Sequence, residues 1–204
     1  MSHSADTLVK NDHTRRAVFL DRDGTINVEK DYLYKIDDFE FITGAPEAIK
    51  RLKKAGFVVI VVSNQSGVAR GYFDEDAVNR LHQHIQTELT AYGTSIDDYY
   101  FCPHHPDKGL GAYKLDCNCR KSKPGMLLQA ALEHNLDLQH SFMVGDKLAD
   151  IVAGERAGCK CLLVVTGYGA TTSLKPEAAV VEKCLDLGCA ARLIVENMKD
   201  VDEL

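Results

Sequence analysis

Ala17-Val18-Phe19-Leu20-Asp21-Arg22-Asp23-Gly24-Thr25 decides the fold. Four consecutive apolar residues fit a short strand buried on both faces. The run ends in two carboxylates, Asp21 and Asp23, at positions i and i+2. Carboxylates just past a buried strand are costly unless something compensates them. A divalent cation is the natural compensation, and Mg²⁺ prefers a few carboxylates together with water and phosphate oxygens. A capped turn would use the same residues, because Asp and Gly favour turns. Placement directly after a strand, with Thr25 following and Asp146 available elsewhere, favours the cation.

Outward from this stretch, three more apolar runs read as strands: Phe57–Val62, Ser141–Val144 and Lys160–Val165. Helical patterns lie between them. Pro46 to Ala55 carries Ala48, Ile49, Leu52 and Ala55 on one stripe, with Gly56 as a stop signal. Asp74 can cap a helix reaching Tyr92, with Val78, Leu81, Ile85 and Leu89 inward and His82 and His84 on the solvated side. Pro124 can open a helix to His134; Leu148–Ala157 precedes Gly158, and Leu185–Met198 forms the last helix. Strands alternating with helices predict an α/β fold: a doubly wound, Rossmann-like parallel sheet with helices on both faces and no large cap domain. Residues 102–121 break the alternation. They hold Pro103, Pro106, Gly109 and Gly111 without a period, and a loop that long usually has a task or an internal tie.

In open α/β sheets, ligands bind beyond the carboxyl ends of the strands. Those ends carry Asp21, Ser63-Asn64, Asp146 and Thr166-Gly167, which the fold would bring to one crevice. Phosphoryl transfer needs an in-line nucleophile and neutralised oxygens. Asp21 suits the nucleophile, giving an aspartyl phosphate. Asp23 is placed to protonate the leaving alkoxide and then to deprotonate water. Ser63 offers a hydroxyl, and the loop from Asn64 to Gly67 offers backbone N–H groups. Arg120 and Lys121 offer fixed charge, and Lys147 sits beside Asp146. The run Arg120-Lys121-Ser122-Lys123 would also suit a solvated basic surface, but it precedes a helix opened by Pro124, where anions tend to bind.

Cys102-Pro103-His104 and Cys117-Asn118-Cys119 bracket the structureless loop. Three sulfurs and an imidazole are a tetrahedral zinc set, and four protein ligands make such a site structural. His105 competes for the imidazole position. Cys159, Cys161, Cys184 and Cys189 lie in apolar surroundings and read as core residues.

The bulk numbers set the limits. A chain of 204 residues with 45% hydrophobic and 26% charged residues is of ordinary globular composition. Residues 1–15 read as a flexible tail and 16–204 as one domain. The net charge of -6 disfavours a nucleic-acid or anionic-membrane partner but not a small anionic substrate. No apolar run is long enough to span a bilayer and no secretory leader is visible, so the expectation is a cytoplasmic chain, most simply a monomer.

Taken together, Asp21-Arg22-Asp23-Gly24-Thr25, Ser63-Asn64-Gln65, Arg120-Lys121-Ser122-Lys123-Pro124-Gly125 and Gly145-Asp146-Lys147 with Asp150 resemble the four motifs of haloacid dehalogenase-type phosphatases. The zinc loop is similar to that of the branch acting on heptose bisphosphate or histidinol phosphate. Asp31-Tyr32 followed by Phe39-Glu40-Phe41-Ile42 and Gly44 resembles the heptose side. The resemblance covers about residues 16–190. It implies a nucleophile at Asp21, an acid/base at Asp23, and Mg²⁺ held by Asp21, the backbone carbonyl of Asp23, and Asp146, with Asp150 orienting the metal site. It implies phosphoryl contacts from Ser63 and Lys121, and a pocket built from Arg22, Glu29, Lys30, Asp31, Tyr32, Asn64, Gln65, Ser66, Arg120 and Lys147. Zinc would sit on Cys102, His104, Cys117 and Cys119. The implied reaction is removal of the 7-phosphate from D-glycero-D-manno-heptose 1,7-bisphosphate, a step towards the lipopolysaccharide core. Three rivals remain: the same chemistry on histidinol phosphate; a phospho-accepting signalling receiver, which shares the doubly wound sheet and an acidic pair; and a zinc-bound interaction module with an inactive site.

Overall fold

A computed structural model describes residues 15–202; the predicted tail lies, Arg15 apart, outside the described residues. In chain order the elements are β1 (Ala17–Leu20), α1 (Ala45–Lys54), β2 (Val58–Asn64), α2 (Ser66–Ala69), α3 (Glu75–Ala91), β3 (Asp98–Cys102), α4 (Gly125–His134), β4 (Phe142–Gly145), α5 (Leu148–Ala157), β5 (Lys160–Val164), α6 (Gly169–Thr172), β6 (Glu182–Cys184) and α7 (Leu187–Asp202). The strands form one sheet in the order β3-β2-β1-β4-β5-β6, every pair parallel. This is the doubly wound order, in which the connections reverse direction beside β1 and leave a crevice there.

Alternation along the buried strands feeds two cores. Val18, Leu20, Val59 and Val61 pack with Ile49 and Leu52 of α1, Leu81, Ile85 and Leu89 of α3, and Ala190 and Ile194 of α7. Ala17, Phe19, Val58, Ile60 and Val62 face the other way, onto Met126, Leu127 and Ala130 of α4 and Ala153 of α5. Strands covered on both faces must be apolar at successive positions, which is why β1, β2 and β4 read so clearly. The Asp74 carboxylate caps α3 by accepting the Ala77 N–H at 2.8 Å, as the sequence predicts.

Two strands escape the sequence reading. β3 is an edge strand, mostly half-buried and built from Asp98-Tyr99-Tyr100-Phe101-Cys102. β6 has three residues on the opposite edge. His82 needs correction: it is buried on the inner face of α3 and stacks on Tyr99 with ring centroids 4.6 Å apart. Burial and, after it, the charge of Arg22 push its pKa down to about 3, so it stays neutral. His84 is half-buried, its ring edge-on to Phe39.

Candidate active site

Register brings the polar strand ends together. Leu20 pairs with Val61 on one side and Val144 on the other. One or two steps further, Asp21, Ser63 and Asp146 therefore emerge at the same sheet edge. The Asp21 N–H donates to the Val144 carbonyl at 2.9 Å, extending the ladder into the site.

A cavity of about 300 Å³ opens there, lined by Asp21, Asp23, Ser63, Lys121, Asp150 and Lys147 together with Glu29, Asp31, Tyr32, Asn64, Gln65, Ser66, Gly67, Ala149 and Tyr168. At its base, Lys121 Nζ donates to Asp21 Oδ1 at 2.8 Å and to the Val62 carbonyl at 2.5 Å, and lies 2.7 Å from Asp150 Oδ1. Burial works against a charge on Lys121, but Asp150 and Asp21 outweigh it and its pKa is raised. Asn64 sets this lysine in place: its amide donates to the Lys121 carbonyl at 2.8 Å and accepts the Lys121 N–H at 3.0 Å.

Asp146 is wholly enclosed beside Asp21. Its Oδ2 accepts the Tyr168 N–H at 2.7 Å. Its Oδ1 has no hydrogen-bond partner, and the Lys147 ammonium stands 3.8 Å away. Carboxylate oxygens of Asp21, Asp146 and Asp150 all lie within 4.8 Å of one another. Burial and then repulsion from Asp21 push Asp146 up to about 8 and Asp150 up to about 6. An orphaned oxygen in a nest of repelling carboxylates is the donor set a small hard dication fits. Gly24 and Gly167, both at positive φ, crowd this carboxylate: a Cβ on either would fall 2.3 or 2.4 Å from Asp146 Oδ2. No side chain larger than hydrogen leaves room for the acid there.

Asp23 faces the cavity from the next turn. Its Oδ1 accepts from Arg22 Nε at 3.1 Å and Asn27 Nδ2 at 3.0 Å; its Oδ2 accepts from Arg22 Nη2 at 2.9 Å and Gln65 Nε2 at 3.2 Å. Gln65 also donates to Ser63 Oγ at 2.7 Å, which leaves the Ser63 proton free to point elsewhere. The outer rim is a loop in which Asp31 (φ 43°) and Tyr32 (φ 54°) take the left-handed conformation that non-glycine residues rarely adopt. Tyr168 Oη holds Asp31 at 2.8 Å, Lys147 Nζ holds Glu29 at 2.8 Å, and the Tyr32 ring stands edge-on to Tyr72. Backbone strain held this firmly clusters at ligand clamps.

Three residues that the sequence places in the pocket do not line it. Arg22 is fully enclosed behind Asp23. Lys30 Nζ turns outward to the Asp38 carbonyl at 2.8 Å and to Glu40. Arg120 Nη1 donates to the His104 carbonyl at 3.0 Å, so it braces the loop instead of facing the cavity. The Asp23 side chain stands outside the carboxylate cluster, whose third member is Asp150; the ligand expected at position 23 is the backbone carbonyl. Gly67 lines the cavity at the end of the 64–67 loop, as the sequence suggests; Tyr168 and Ala149 line it without such a pointer, save that Tyr168 follows the Thr166-Gly167 strand end.

In the loop after β3, Cys102, His104, Cys117 and Cys119 converge, with ligand atoms all within 4.8 Å. Sulfur separations are 3.4 Å (Cys102–Cys117), 3.3 Å (Cys102–Cys119) and 3.0 Å (Cys117–Cys119), and His104 Nδ1 lies 3.5 Å from Cys119 Sγ. A zinc tetrahedron with Zn–S bonds of about 2.3 Å has edges of about 3.8 Å, so a small expansion of this set accepts the ion. The hydrogen bond shared with Cys102 outweighs burial and pushes Cys119 down to about 5, so the cluster already favours a thiolate. His105 is settled: its Nδ1 accepts the Asp107 and Lys108 N–H groups at 3.2 and 3.1 Å, outside the cluster.

Comparisons with known proteins agree with this geometry. A family profile described as HAD-hydrolase-like matches residues 118–187. D-glycero-beta-D-manno-heptose-1,7-bisphosphate 7-phosphatase of Pasteurella multocida is 48% identical over 175 residues, 85% of this chain and 95% of that one. D-glycero-alpha-D-manno-heptose-1,7-bisphosphate 7-phosphatase of Photorhabdus laumondii is 42% identical over 83% of this chain and 92% of its own. Among solved structures, D,D-heptose 1,7-bisphosphate phosphatase from B. bronchiseptica, complexed with magnesium and phosphate, superposes with a TM-score of 0.80 at 35% identity, covering 89% of this chain and 99% of that one.

Proposed function

The chain belongs to the haloacid dehalogenase-like hydrolases, and from that premise we propose that it removes the 7-phosphate of D-glycero-D-manno-heptose 1,7-bisphosphate through an aspartyl phosphate on Asp21. It is a phosphoric monoester hydrolase. The observation that carries the reading is the buried cluster of Asp21, Asp146 and Asp150 around Lys121, at the base of a cavity that also holds Asp23 and Ser63.

Asp21 and Asp146 would hold Mg²⁺, joined by the Asp23 backbone carbonyl, and the ion would neutralise the phosphoryl oxygens against the attacking carboxylate. The remaining work falls to side chains of this chain. An Asp21 oxygen attacks phosphorus, and the bond from phosphorus to the sugar oxygen breaks. Asp23 gives that oxygen its proton. Water then attacks phosphorus, Asp23 takes the water proton, and the Asp21–phosphorus bond breaks to release phosphate. Lys121 and the Ser63 hydroxyl hold the equatorial oxygens, with the backbone of the 64–67 loop beside them. Of the four bonds to Asp23, that from Gln65 is the longest at 3.2 Å, and releasing it frees a lone pair of Oδ2 for the proton while Arg22 keeps the carboxylate in place. Lys147, which carries a raised pKa because Asp21 and Asp146 outweigh its burial, supplies the charge for the distal part of the substrate.

Zinc on Cys102, His104, Cys117 and Cys119 would be structural, since all four positions are filled by protein. Lys121 follows Cys119 by two residues, so the metal loop fixes the lysine that meets Asp21.

A phosphate-release screen with Mg²⁺ tests the reading. The highest kcat/KM is expected on the heptose bisphosphate, with the β anomer ahead of the α anomer. A preference for histidinol phosphate would defeat the substrate assignment, and a stable phospho-protein without turnover would favour a receiver.

A further inference from the structure

We infer that Arg22 is a positioning residue for Asp23: its buried guanidinium fixes the plane of the acid/base carboxylate without reaching substrate. The inference rests on the phosphatase reading above and deepens it. Arg22 is wholly enclosed and absent from the cavity wall. It grips Asp23 at two points, Nε to Oδ1 at 3.1 Å and Nη2 to Oδ2 at 2.9 Å. Nη2 donates a second time, to the Leu33 carbonyl at 3.0 Å, which anchors the guanidinium to the base of the pocket loop.

Two further facts bind the pair. Among the described residues, Asp23 is the carboxylate at ion-pair distance from Arg22, so a buried cation depends on it for its counter-charge. The neighbouring ring of His82 is kept neutral and adds no rival charge. A planar fork gripping both oxygens sets the plane of a carboxylate, whereas a point charge leaves it free to rotate. Asn27 and Gln65, each donating to one oxygen, complete the cradle.

The test exploits a leaving group that needs no acid. With p-nitrophenyl phosphate, Asp21 attack expels p-nitrophenolate, which departs with its electron pair unprotonated. The second half still needs Asp23, because the attacking water must lose a proton as the Asp21–phosphorus bond breaks. In Arg22→Lys, rapid mixing should therefore show a first turnover near the wild-type rate, with a burst approaching one equivalent per chain. The steady state that follows should be at least about tenfold slower. On a sugar phosphate, whose alkoxide needs a proton, kcat should fall at least about tenfold without a burst, and KM should change little. Both phases falling together, with no burst, would overturn the inference.

Arg22→Gln, which leaves no unmatched buried cation, is read in the same way if the lysine variant does not fold. Failure of both to fold would assign Arg22 to stability alone and would also overturn the inference. A wild-type chain inactive on every phosphate monoester would sink the proposed function instead, so the two failures are distinguishable.

Discussion

Lys121→Met removes the ammonium that stands between Asp21 and Asp150. The lysine is 2.8 Å from Asp21 Oδ1 and 2.7 Å from Asp150 Oδ1, with side chains almost wholly buried on all three residues. At such separations and an effective dielectric of about 20, each pair is worth about 6 kcal/mol of gross attraction. Desolvation of the buried ions takes back several kcal/mol, and breaking a buried pair by deleting one partner costs about 3–5 kcal/mol net. In a chain of this size each kcal/mol moves Tm by about 2–4 °C, so the variant should melt about 6–20 °C lower in EDTA. Mg²⁺ should recover part of that loss, because a dication at Asp21 and Asp146 replaces part of the missing positive charge. Thermal melts of wild type and variant, with EDTA and with Mg²⁺, read both effects, and phosphate release should be lost. A variant melting within about 2 °C of wild type in EDTA would refute the reasoning, as would an equal deficit in EDTA and in Mg²⁺.

Asp21→Asn should abolish turnover and cost less Tm than Lys121→Met, because it removes one of the two carboxylates paired with Lys121 but relieves repulsion at Asp146 and Asp150; retained activity would be fatal to the nucleophile assignment. Elemental analysis should find about one zinc per chain, and Cys117→Ser should lower both the zinc content and Tm; a zinc-free protein with full stability would dismiss the structural metal. Asp146, pushed up to about 8, binds its proton more tightly folded than unfolded, so the stability it contributes is complete at low pH and is lost as pH rises towards 8. His82, lowered to about 3 from 6.5, and Cys119, lowered to about 5 from 9.0, act oppositely and add stability as pH rises, Cys119 through the same range of 6.5 to 8, so the Asp146 share is read by difference against Asp146→Asn. In the metal-free chain the Tm of wild type relative to Asp146→Asn should fall from pH 6.5 to 8, and the gain of wild type from Mg²⁺ should grow; a relative Tm that rises would contradict the assignment.

What could be read from the sequence, and what could not, divides along a physical line. The buried strands β1, β2, β4 and β5 were legible because a strand covered on both faces has to be apolar at successive positions. Edge strands escape that demand: β3 needs only partial cover for Tyr99 and Tyr100, and β6 is too short to form a pattern. The reacting carboxylates were legible because parallel topology sends the strand ends to one crevice, so identity and order along the chain fix position. Side-chain direction has no such rule. Arg120 and Lys121 read as one basic run, yet successive residues do not present their side chains to the same side. One braces the His104 carbonyl in the metal loop, and the other reaches Asp21. Arg22, between two acids of the same motif, turns behind the second and away from the crevice. A site of this kind therefore takes its chemistry from strand-end residues. Its precision comes from cations that must choose among nearby acids, and only packing makes that choice.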